Sequence, residues 1–146
     1  MLPPNSREEL RAFYLEAWRK RRERLPAEPL EMQVADVIEQ HPEYHALLEE
    51  GPDALERDWT PEGGESNPFL HLGLHLAVRE QVSTDRPGGI AGVYRSLVAQ
   101  LGRHEAEHRM AECLAEALWH AQRNHAAPDE VSYLATLKKL VQDTGS

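Results

Sequence analysis

Residues 67–82 read NPFLHLGLHLAVREQV, and the reading of this stretch decides the fold. Asn67 is a residue type that accepts hydrogen bonds from the open N–H groups of a helix start, and Pro68 suits the first helical turn, so the pair opens a helix. At about 100° per residue, His71, Leu74, His75, Val78 and Val82 share one side, and Phe69, Leu72 and Leu76 another. Gly73 borders the second side, where a neighbouring backbone can come close. A helix apolar on nearly all sides is one that other helices cover, so the chain reads as all-α with this helix at its centre.

Working outward, the same helical period recurs on both flanks. Ser6 and Glu9 form a capping box ahead of Leu10, Phe13, Tyr14, Ala17 and Trp18, which predicts a first helix over about residues 6–24 that Pro26 stops. A second helix begins near Pro29, carries Leu30, Val34, Val37 and Ile38 on one face, and ends at His41-Pro42. Pro42 then opens a short helix through Glu50. Residues 51–67, rich in Pro and Gly, form a connector with a helical turn or two at 52–58. Beyond the linker 83–89, Ile90, Val93, Tyr94, Leu97, Val98 and Leu101 mark a further helix, which Gly102 interrupts. The longest pattern runs from His104 to Asn124. Pro128 opens the last helix, striped by Val131, Leu134, Leu137, Leu140 and Val141 with Tyr133 at its edge. No window alternates as a strand does, and no solenoid repeat is present. The expected architecture is a single helical domain over 1–146, a bundle of about six helices.

At 146 residues the chain is long enough for one core without staples. No apolar run approaches the roughly eighteen residues of a membrane span, and the first residues lack a secretory signal, so no membrane partner and a cytoplasmic location are expected. The single Cys113 cannot form an internal disulfide and reads as a small packed residue. A net charge of −9 disfavours a nucleic-acid binder that uses its whole surface. Residues 1–24 nevertheless hold seven bases and four acids. Arg19, Lys20, Arg21, Arg22 and Arg24 complement the C-terminal dipole of the first helix, or else offer a contact for RNA or an acidic protein.

Histidine is the unusual count: eight residues, six of them in i, i+4 pairs. His41 and His45, His71 and His75, and His104 and His108 would each set two imidazoles on one helical face, the spacing two ligands of one ion require. His41 precedes Pro42 at a helix start, so the first pair reads as capping or hydrogen-bonded residues. His71 and His75 share a face with Leu74, Val78 and Val82, where a buried imidazole needs a hydrogen-bond partner or a metal. His104 and His108 lie beside Leu101, Ala111, Ala115 and Trp119, a second packed face. A metal centre of His71, His75, His104 and His108 follows, with Glu112 as a further ligand and Glu105 as the candidate general base. Zinc, iron or nickel suits such donors.

His104-Glu105-Ala106-Glu107-His108 also matches H-E-x-x-H, the motif of zinc peptidases. The extended zincin pattern and the substrate-binding strands of that class are missing. The Glu-x-x-His motif of di-metal carboxylate bundles occurs only here, where two copies are needed. A mononuclear histidine site therefore fits the residues better. Neither reaction nor substrate is legible.

NPFLHLGLHLAVREQ at 67–81, Thr84-Asp-Arg-Pro87, HEAEHR at 104–109, Glu112-Cys-Leu114 and the upstream His41-Pro-Glu-Tyr-His45 together resemble the signature of a family of small, mainly proteobacterial proteins classed as a domain of unknown function. The resemblance spans most of the chain. It implies no reaction and transfers no site residues.

Overall fold

The structure, a computed structural model, describes residues 7–51, 53–57, 59 and 67–145, without the side chains of residues 55 and 56. Ser6 and most of the expected connector lie outside that set. The described residues form α1 (Arg7–Arg22), α2 (Pro29–Glu39), a 3-10 turn (Pro42–Tyr44), α3 (His45–Glu49), α4 (Asp53–Glu56), α5 (Pro68–Thr84), α6 (Ile90–Leu101), α7 (Arg103–Arg123) and α8 (Glu130–Thr144). The fold is all-α, with no strand among the described residues. None of their helices is long and apolar enough to cross a membrane. The chain divides into two compact units between Leu72 and Gly73, a point inside α5.

In the first unit α1 packs on α2, and α1 also meets α3 and α4. The buried side of α1 is Arg11, Tyr14, Ala17 and Trp18, at the three- and four-residue spacing that sets side chains on one helical face. It ends through Arg24, whose φ of +57° is left-handed, while the Leu25 N–H reaches back to the Lys20 carbonyl at 2.9 Å. This Schellman closure satisfies a terminal carbonyl just before Pro26. Leu10 and Leu30, expected on the apolar stripes of α1 and α2, are exposed instead. Each is in the first turn of its helix, ahead of the packed face.

Two charged groups are buried in this unit, and both are compensated. Glu31 accepts from Lys20 Nζ at 2.9 Å on each oxygen and from the Glu28 N–H at 2.8 Å, completing a capping box at the start of α2. Arg11 donates to the Arg57 carbonyl at 2.7 Å, and its guanidinium stands 5.0 Å from the Phe69 ring centroid. A charge stripped of water without such partners costs several kcal/mol.

In the second unit Val78, Ile90, Val93, Leu97, Ala106, Met110, Leu114 and Leu137 build one core. Asp85 Oδ1 caps α6 by accepting from Gly89 and Ala91 N–H groups. Gly102, at φ +85°, makes the corner between α6 and α7, a conformation that costs glycine least. On α8 Leu134, Leu137, Leu140 and Val141 of the expected stripe pack on the core, and only its first residue does not. Tyr133 is buried and donates its hydroxyl to Gln81 Oε1 at 2.8 Å, whereas Val131 is 81% exposed. Asp129 caps the helix at Ser132 N–H, which places Val131 in the open first turn. Trp119, expected on a second packed face of α7, is also exposed.

Leu97→Ala empties a site with no solvent exposure and should lower the free energy of unfolding by about 2–5 kcal/mol. Val131→Ala should stay within about 0.5 kcal/mol of the parent chain. Urea denaturation of both variants checks the contrast.

Candidate metal centre

α5 carries His71 and His75 on successive turns. Asn67 opens it, its Oδ1 accepting from the N–H groups of Phe69 and Leu70. Pro68, Phe69, Leu72, His75 and Val78 are its buried residues, and Leu70 is exposed.

His75 has no solvent exposure. Its Nδ1 lies 2.8 Å from Glu107 Oε1 on α7, and Arg79 Nε donates to Glu107 Oε2 at 2.9 Å. Burial pushes the Glu107 carboxyl up, but the hydrogen bonds from His75 and Arg79 and the charge of Arg79 outweigh it and hold the group below its usual range. Glu107 is thus an acceptor only, and His75 must carry its proton on Nδ1. Its Nε2 then presents a lone pair. A carboxylate behind the ring is the arrangement that orients metal-binding histidines and raises their basicity.

The rings of His104 and His108 lie 5.9 and 5.8 Å from that of His75, each nearly parallel to it. His104 is exposed and His108 half-buried. Glu112 sits one turn past His108, with Oε1 3.1 Å from His108 Nε2. Glu105 turns to Arg109, whose Nε donates to it at 2.8 Å, and that bond and charge hold the Glu105 carboxyl below its usual range. A carboxylate so engaged is a weak proton acceptor at neutral pH. Burial, then the charges of Glu116 and Glu112, push the half-buried Cys113 thiol up, away from nucleophile chemistry.

His41 follows the end of α2 and is buried. Its Nδ1 is 2.8 Å from the Val37 carbonyl, an acceptor, so this ring too carries its proton on Nδ1 and its lone pair on Nε2. It stacks on Tyr44 at 5.8 Å and meets the His71 ring edge-on at 5.2 Å. His45 Nε2 donates to the Ile38 carbonyl at 2.8 Å, and its ring lies on Trp18. The hydrogen-bonding role expected of the His41 and His45 pair is present.

His71 thus meets His41 in the first unit, and His75 gathers with His104 and His108 in the second. His75, His104 and His108 were expected together; the pairing of His71 with His41 was not. Its signal was present all the same, because His41 continues the Val34, Val37 and Ile38 face of α2 beyond the helix end. Glu107 was also passed over, although Met110, Ala111 and Leu114 follow it at the spacing of one apolar stripe. An acid in such a stripe demands a cationic or donor partner.

The basic run of α1 is matched by acids. Arg19 pairs with Glu16 and Glu23, Lys20 with Glu31, Arg21 with Asp36 and Glu39, and Arg22 approaches Glu49. Arg24 is exposed at the helix end.

Residues 6–139 match the family described as Domain of unknown function (DUF1841), and the chain belongs to that family. No curated protein and no solved structure matches it.

Because its carboxyl is held low by folded-state partners, Glu107 contributes stability that is fully present above the ordinary carboxylate range and is lost as pH falls through its folded value. Glu107→Gln should lower the urea midpoint at pH 7, and its deficit against the parent chain should shrink below about pH 4.5. Unfolding curves from pH 7 to pH 3 measure this.

Proposed function

We propose that this protein binds a divalent transition-metal ion at a histidine centre of the second unit, with His75, His104 and His108 as the ligands. The observation that carries the reading is the gathering of the His104 and His108 rings at 5.9 and 5.8 Å from that of His75, whose Nδ1 is held by the Glu107 carboxylate. A ring oriented in this way loses little freedom when an ion arrives. Glu112, behind His108, is the carboxylate placed to extend the set. Imidazole donors suit zinc, iron or nickel. Three protein ligands leave a coordination position for water or substrate, the feature of catalytic rather than structural zinc sites. Glu105, engaged by Arg109, is assigned no base role. The lone Cys113 fits a reducing, cytoplasmic setting.

The alternative, an RNA or acidic-protein contact through Arg19, Lys20, Arg21, Arg22 and Arg24, has less support. Four of these cations have acidic neighbours within their own unit, which accounts for the run without a partner.

Protein purified without an affinity tag or chelators should hold near-stoichiometric metal by elemental analysis. His75→Ala and His104→Ala should release it, Glu107→Gln should weaken it by roughly 10–100-fold, and the exposed His120→Ala should leave it unchanged. Circular dichroism of each variant separates lost ligation from lost fold. Absence of metal, with no uptake of added zinc, iron or nickel, overturns the proposal.

A further inference from the structure

Beside the Glu107–Arg79 pair lies an open cleft of about 220 Å³, lined by Val78, Val82, Ser83 and Tyr94 together with Arg79, Arg103 and Glu107. Its charge balance sets it apart from the other clefts of the second unit. One of those is lined by Glu80, Asp129 and Glu130 against a single arginine, Arg86; another is lined by Glu116 and Asp129. Here two guanidiniums face one carboxylate, and that carboxylate is already engaged by Arg79 and His75. Arg103, the first residue of α7, is exposed and has no ion pair among the described residues. In a chain of net charge −9, a cationic cleft is a local exception, and exposed arginine is the side chain best shaped to take an oxyanion in two parallel hydrogen bonds.

We propose that this cleft is the subsite for the anionic head group, carboxylate or phosphate, of a small ligand engaged at the histidine centre. The volume holds about seven groups of water size at roughly 30 Å³ each, enough for an oxyanion with a short tail. Val82 supplies apolar surface for that tail, and Tyr94 and Ser83 add hydroxyls. Arg79 links the cleft to the centre, since the carboxylate it engages is the one that orients His75. The link to chemistry rests on the metal reading, whereas anion binding itself does not.

The test is a titration of metal-free protein with propionate, ethyl phosphate and, as the charge-reversed control, ethylammonium, followed residue by residue in ¹H–¹⁵N spectra. One or both anions should bind saturably, with the largest shifts at Arg79, Ser83, Tyr94 and Arg103, and ethylammonium should not. Which anion saturates identifies the head group. Arg103→Ala should weaken binding by about tenfold or more, as removal of a charge-assisted contact does, while Arg95→Ala, exposed on α6, should not. Well-dispersed spectra of Arg103→Ala establish that it folds. Failure of both anions to saturate, or undiminished binding by Arg103→Ala, overturns the subsite. Because the titration uses metal-free protein, a failed metal assay leaves its result standing, and the converse also holds.

Discussion

A carboxylate with almost no access to water, that of Glu107, has to be stabilised by the protein itself, and the second unit is arranged around that requirement. Desolvating an ionised acid costs several kcal/mol unless donors replace the lost water. Arg79 and His75 provide them from one face of α5, four residues apart, and so hold α5 and α7 in one register. The same bonds determine which nitrogen of His75 carries the proton. A structural need and a chemical consequence are therefore one geometry: neutralising the buried acid leaves an imidazole lone pair facing away from it. The core around Val78, Met110 and Leu114 excludes the water that would otherwise compete for these bonds.

The first unit handles its buried charges similarly. Glu31 is satisfied by Lys20 and by the Glu28 N–H, and Arg11 by backbone carbonyls and aromatic faces. His41 differs in using a neutral partner, the Val37 carbonyl, which sets its tautomer without adding charge.

Much of the fold was legible because helix ends carry local chemistry. Asn67 and Asp129 act as N-caps, Gly102 takes the left-handed corner, and the Pro residues among the described residues stand at helix starts or just beyond ends. Left-handed closure at Arg24, Asp85 and His125 was not legible, since each is a residue type that adopts positive φ only when the surrounding backbone bonds reward it. The burial of Tyr133, expected at the edge of the α8 stripe, brings its hydroxyl to a partner 52 residues away in sequence, Gln81. In the candidate site, the i, i+4 spacing singled out His71, His75, His104 and His108, a local signal. The same spacing marked His41 and His45, which read as hydrogen-bonded residues. Glu107 enters through contacts distant in sequence and was marked only as a polar residue on an otherwise apolar stripe.

The most direct test of this account is the protonation pattern of the histidine rings, read by long-range ¹H–¹⁵N correlation on metal-free protein and again after adding zinc. His41 and His75 are expected to carry their protons on Nδ1 in the metal-free state. Added zinc should then move the Nε2 resonance of His75, together with one ring nitrogen each of His104 and His108, into the range of metal-bound imidazole. A proton on Nε2 of His75 instead, or rings that ignore the added ion, would contradict the metal centre.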